Sequence, residues 1–225
     1  MKVISFSLWG NKLMYTVGAI RNADLAKKFY PDFECWFYIH KESVSQDIID
    51  ELQKRDNVKI IFKDGDITKV KPRMWRFEPI DDPNVDLMMS RDTDTHILLR
   101  EKLAVDEWIK SDKIFHIMRD HPWHNVPILA GMFGIKKNNL INIKLLSEQF
   151  VQLTQIQYDQ DFLRMYVYPF IINSCMIHAS FCKYEKFCLP FPIPYDNEYR
   201  FVGECIYEDE SRNQQHVNQV KRGYI

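Results

Sequence analysis

Glycine is scarce in this chain. Seven stand among its 225 residues, at 10, 18, 65, 131, 134, 203 and 223, and none combine into G-x-G-x-x-G or G-x-x-x-x-G-K-[ST]. A P-loop and a dinucleotide fingerprint are thereby excluded, because both need glycines at fixed offsets to bring backbone N–H groups onto phosphate oxygens. Any phosphate held here must be held by side chains and a cation. The five cysteines (35, 175, 182, 188 and 205) contain no CxxC pair, so structural zinc is not indicated and the odd count reads as reduced thiols. No apolar run approaches the length needed to cross a bilayer. The opening stretch from Met1 to Trp9 reads as a first strand, not a leader. A soluble, cytoplasmic protein without a membrane span is expected. The formal net charge of −1 leaves no overall field to gather nucleic acid or anionic membrane.

What is present suits a packed core. With 46% hydrophobic and 27% charged residues, positions 1–225 read as one globular domain with a polar C-terminal tail from about 205. The aromatic share of 14% is high enough that some rings are expected to line a groove for sugar or base. Val3–Leu8, Glu34–His40 and Val58–Phe62 are apolar runs of strand length. Between them lie a helical stretch reaching Tyr30, stopped by Pro31, and another with Ser43 and Ser45 as candidate N-caps. A short helix, a strand over 85–89, a helix over 100–111 and a strand over 113–118 continue the alternation. Further on, Gly131–Ile135 reads as a strand, Asn138–Val151 as a helix, Tyr158 onward as a helix ending near Pro169, and Cys175–His178 as a late strand. Alternation of this kind predicts an α/β fold with a mixed, mostly parallel sheet between helices, and ligand sites beyond the carboxyl ends of its strands.

The segment Val85-Asp-Leu-Met-Met-Ser-Arg-Asp-Thr-Asp94 runs an apolar strand into two carboxylates two positions apart. In extended backbone such residues point the same way, so Asp92 and Asp94 repel unless a cation lies between them. Oxygen donors of this kind suit Mg²⁺ or Mn²⁺, which keep coordination positions open for substrate phosphates. The plain alternative is a solvated loop after a strand. With no glycine cradle in the chain, the metal reading is the stronger one.

Around that pair stand Met74-Trp-Arg-Phe77, Ser90-Arg-Asp-Thr-Asp94, Arg100-Glu101 with Trp108-Ile109, His116-Ile-Met-Arg-Asp-His-Pro122, Gly131-Met-Phe-Gly134, Asp159-Gln160 with Phe162-Leu163, and Phe201-Val-Gly-Glu204. Together and in this order they resemble the small GT-A-fold glycosyltransferase domains of large algal (chlorella) viruses and of some capsular-polysaccharide proteins, over roughly residues 1–210. The resemblance implies a transferase that takes a UDP-sugar donor, with UDP-glucose or UDP-rhamnose favoured, and Mn²⁺ or Mg²⁺. Its acceptor would be a glycan on protein or lipid, and the reaction would proceed with retention. It implies that Asp94 touches the metal directly, that Asp92 reaches ribose or a metal-bound water, and that His178 completes the metal shell, although Ala179 stands where the family pattern has an acid. Ser7, Leu8, Trp9 and Gly10 would bind the nucleoside. Arg73 and Arg76 would reach base, ribose or phosphate, and Arg91 either phosphate or the two acids. Arg119 and Asp120 would grip the donor sugar, while Asp159 and Gln160 would lie near the reaction centre, with Asp159 or Asp120 as the base if the reaction inverts.

Each residue has a structural alternative: a core histidine for His178, a turn cap for Asp120, a helix cap for Asp159, solvated cations for the arginines. The pair His121 and His124 is set down to chance, not to a second metal. Three rival functions are weighed. A haloacid-dehalogenase-type phosphatase places Asp-x-Asp on its first strand and has Thr or Val where His96 stands. A sugar-nucleotidyltransferase usually carries a glycine-rich basic first loop, and Trp9-Gly-Asn-Lys12 has one glycine. A non-enzymatic module with a structural ion would lack turnover.

Overall fold

The computed structural model describes residues 1–138, 141–151 and 156–223. Strands β1 (Lys2–Leu8), β2 (Glu34–His40), β3 (Val58–Lys63), β4 (Leu87–Arg91), β5 (Phe115–Arg119), β6 (Met132–Lys136) and β7 (Cys175–Ala179) form one sheet in the order β3-β2-β1-β4-β6-β5-β7. β6 runs antiparallel to both of its neighbours, β4 and β5, and the remaining pairings are parallel. The expected mixed, mostly parallel sheet is therefore present.

Alternate strand residues feed opposite faces, as the two-residue period of a strand requires. Ile4, Phe6, Leu8, Phe37, Leu87 and Met89 pack under α1 (Leu13–Phe29), α2 (Gln46–Gln53) and α4 (Leu99–Lys110). The α3 turn (Pro72–Trp75) covers the other face with α5 (Ile143–Gln149) and α6 (Tyr158–Phe162), over Val3, Trp36, Tyr38, Met88, Phe115 and Phe133. The α6 helix runs into a π-turn, Leu163–Val167, and then α7 (Tyr168–Ile171). The α-helical path therefore ends at Ile171, near Pro169 as expected. Pro169 falls in the first turn of α7, where a missing N–H leaves no intrahelical bond unmade.

Other expectations change in detail. Ser45 occupies the N-cap position of α2, but its side chain makes no cap bond; its backbone N–H donates to Asn11 Oδ1 at 2.8 Å. Ser43 Oγ accepts from Gly10 N at 2.8 Å, so both serines anchor the β1–α1 loop. The helix foreseen over 138–151 is reduced to α5, and residues 139–140 lie outside those described. Two of the five cysteines, Cys182 and Cys188, are joined in a disulfide, against the reading of reduced thiols, because the 180–190 loop doubles back and brings their Cα atoms within 5.8 Å. The polar tail is ordered in large part: residues 201–206 pack on the sheet, and α8 (Gln214–Gly223) buries Val217 and Val220. Among the described residues no helix is long and apolar enough to cross a membrane.

Candidate active site

The acid pair lies just past the carboxyl end of β4, beside the carboxyl end of β1. Its backbone is fixed from α1. Small residues on one face of that helix, Gly18, Ala19 and Ala23 among them, allow a close approach, and a Cβ on Gly18 would stand 2.1 Å from Thr93 O. One turn on, the buried Asn22 Nδ2 donates to Thr93 O at 3.1 Å and Thr95 O at 2.6 Å. The loop is closed from the opposite side by the late chain: Ile206 N donates to Asp94 O at 2.8 Å, and Thr95 bridges Cys205.

A cavity of about 470 Å³ opens over the pair. That is a volume typical of small-molecule sites. Ser7, Leu8, Trp9, Gly10, Arg73, Arg76, Asp92, Asp94, Asp159 and Gln160 all line it. Arg76 is the central link. Its backbone N donates to Ser7 Oγ at 3.1 Å, its Nη1 pairs with Asp92 Oδ1, and its Nη2 reaches Asp159 Oδ2 at 2.9 Å. Burial opposes its charge, but Asp92 and Asp159 more than offset this and hold the guanidinium protonated. Asp159 Oδ1 is sealed from solvent without a hydrogen-bond partner, with Arg73 Nη1 4.0 Å away as an ion-pair neighbour. Burial and then the neighbouring Asp92 push the Asp94 carboxyl up to about 6. The Cys205 thiol, raised by burial and by Asp94, donates to Asp94 Oδ2 at 3.4 Å.

These residues fit a hard divalent cation. Two carboxylates share one end of the cavity, and Gly131 leaves the room Asp92 needs: a Cβ there would stand 1.9 Å from Asp92 Oδ2. An oxygen donor set of this kind matches Mg²⁺ or Mn²⁺.

Four expected residues do not reach the cavity. His178 is fully buried, with Nδ1 2.8 Å from His116 Nε2 and Nε2 3.0 Å from Glu107 Oε2. Its strand β7 stands three places from β4 in the sheet, on the order of 14 Å at ordinary strand spacing. Burial lowers its basicity, and the core-histidine alternative accounts for it. Arg91 turns towards α4 and pairs with Glu101 at 2.8 Å, both nearly sealed from solvent. Arg119 is spent on Glu185 and on the carbonyl of Pro127. Asp120 is a buried hub that accepts from Arg100 at 2.8 and 2.9 Å, Ser180 Oγ at 2.5 Å and Val202 N at 2.9 Å. All four of its contacts hold the fold. Lys12, Tyr15, His124, Gly131, Gly203 and Cys205 line the cavity without having been assigned to it from sequence. The glycines were visible in the ordered series of motifs; nothing in the sequence pointed to Tyr15 or Cys205.

The sheet order and the reversed β6 are those of the GT-A fold. No protein-family model matches the chain, and no curated protein matches it. Among solved structures, the galactosyltransferase LgtC in complex with donor and acceptor sugar analogues is similar with a TM-score of 0.51 and 14% identity, covering 79% of this chain and 73% of that one. An active-site mutant of LgtC gives 0.50 at 13% identity, covering 79% and 72%. A glycosyltransferase involved in glycosylation of the major capsid of PBCV-1 gives 0.49 at 12% identity, covering 79% and 81%. At such identities the likeness to LgtC is one of fold.

Proposed function

We propose that the protein is a metal-dependent glycosyltransferase that moves a hexose from a UDP-sugar, UDP-glucose or UDP-rhamnose in the first instance, to a hydroxyl of a protein- or lipid-linked glycan, with retention at the anomeric carbon. The observation that carries this reading is the meeting, in one cavity at the carboxyl ends of β1 and β4, of two paired aspartates with two arginines and a third, buried aspartate. Asp92 and Asp94 would hold Mn²⁺ or Mg²⁺, which supplies Lewis acidity to the departing diphosphate. Lys12 and Arg73 line the same space and would neutralise the remaining phosphate charge. Arg76, shared between Asp92 and Asp159, couples the diphosphate end of the site to its reacting end.

Trp9 offers a flat face to the uracil, and Ser7 and Gly10 border the nucleoside position. Asp159, fixed by Arg76 and flanked by Arg73, would stabilise positive charge developing at the anomeric carbon as a carboxylate that need not move. Gln160 beside it has the amide needed to orient a sugar hydroxyl. Titration calorimetry of UDP and a panel of UDP- and GDP-sugars, with and without Mn²⁺, into wild type and Asp94→Ala tests the reading. Binding that needs both Mn²⁺ and Asp94 supports it. Nucleotide binding indifferent to both would sink it.

A further inference from the structure

His124 belongs to the connection between β5 and β6 and contributes to the cavity wall together with Ala130, Gly131 and Met132. Its two ring nitrogens are not equivalent. Nδ1 accepts a hydrogen bond from the backbone N–H of Asp120 at 3.0 Å, so Nδ1 carries no proton. A neutral imidazole with a bare Nδ1 has its proton on Nε2. Among the described residues that nitrogen has no hydrogen-bond partner, and the half-buried ring that carries it forms part of the cavity wall. The ring is wedged against His121 and Phe201, with centroids 5.6 and 6.1 Å away, which leaves it little freedom to flip. Burial, and then the neighbouring His121 ring and Arg119 guanidinium, hold its basicity down to about 3, so it is uncharged across the physiological range.

We infer that His124 Nε2–H is the donor that reads a hydroxyl of the transferred sugar, an assignment that rests on the glycosyltransferase reading above. Two observations select that role over others. A histidine that ligates a metal through Nε2 must present a lone pair there and carry its proton on Nδ1, usually given to a carbonyl or carboxylate. Here Nδ1 faces a donor, so the tautomer is wrong for a metal ligand and right for a hydrogen-bond donor. The sheet order supplies the second argument. β1 lies on one side of the acid-bearing β4, while β6 and β5 lie on the other. With the diphosphate at the acids and the nucleoside over the β1 loop, the sugar falls towards β6 and β5, where His124 stands. Phosphate oxygens have Lys12, Arg73 and Arg76 as charged partners in the same cavity, against which a neutral ring competes poorly.

The test uses His124→Asn. An amide oxygen can take the place of Nδ1 and keep the Asp120 N–H satisfied, but the shorter side chain does not extend to the position of Nε2. Calorimetry of UDP and of UDP-glucose, each with saturating Mn²⁺, is run on wild type and variant, with melting temperature as the check on folding. The expected result is unchanged UDP and Mn²⁺ affinity with UDP-glucose bound about tenfold more weakly, the loss of one neutral hydrogen bond. Unaltered UDP-glucose binding overturns the inference, as does an equal loss for UDP, a loss of Mn²⁺ affinity, or an effect confined to the acceptor KM. If wild type binds no UDP, the glycosyltransferase reading itself falls and takes this inference with it. Normal UDP binding with no effect of His124→Asn removes this inference alone.

Discussion

Asp94 should destabilise the fold that it equips for function. Its carboxyl is pushed from the usual 3.8 up to about 6, first by burial and then by Asp92. That displacement is equivalent to roughly 3 kcal/mol of penalty on the charged form. Solvent at the cavity mouth screens part of it, leaving about 1–2 kcal/mol. Folded protein binds the Asp94 proton more tightly than unfolded protein, so stability falls as pH climbs from about 4 through about 6 and stays lower above. Asp94→Asn removes the charge and escapes that fall. In a chelator, the variant should melt about 3–6 °C above wild type at pH 7.5 and level with it below pH 4, given about 2–4 °C per kcal/mol for a chain of this size. Added Mn²⁺ should raise the wild-type melting temperature at pH 7.5, progressively less below about pH 6 as protons compete for Asp94, and should leave the variant unmoved. A variant no more stable than wild type at pH 7.5, or equally stabilised at both ends of the range, would refute the reasoning.

Gly131→Ala places a methyl group where Asp92 now rests, 1.9 Å from Oδ2 and 2.4 Å from Cγ. The carboxylate must swing aside and give up its pairing with the buried Arg76, so Mn²⁺-dependent UDP affinity should drop about a hundredfold and the melting temperature should fall as well; retained affinity in the titration would refute this. Arg91→Met leaves Glu101 buried and unpaired, at a cost of about 3–5 kcal/mol in chemical denaturation. Adding Glu101→Leu should restore most of that loss, since two apolar residues then replace a desolvated ion pair. UDP affinity should survive in both proteins, because neither side chain reaches the cavity.

The sheet was legible because its inner strands are buried on both faces and read as short apolar runs: Ile4, Phe6 and Leu8 face one layer, Val3 the other. The acid pair was legible because charge repulsion between near neighbours calls for an explanation. The direction of the side chains at strand ends was not. Arg119 and Asp120 look poised for a ligand when only their place after β5 is known. Their partners, Glu185, Arg100 and Val202, stand between 20 and 82 positions away, and nothing local announces them. His178 shows the same limit, for its pairing with His116 exists only once β7 has joined β5. Arg76 worked the other way: an arginine in a short helix is usually solvated, and its burial between two aspartates comes entirely from tertiary structure.

The closure of the acid loop by residues 203–206 has a consequence during synthesis. Every strand of the sheet has been made once residue 179 is reached, yet the thiol that meets Asp94 lies 111 positions after it. Val202, which ties this segment to Asp120, comes equally late. The strands and the arginine that pairs with Asp92 are thus all encoded before the segment that covers Asp94. A chain cut short before residue 202 would therefore keep every strand of the sheet while losing the contacts that Val202, Cys205 and Ile206 make over the acid loop and Asp120.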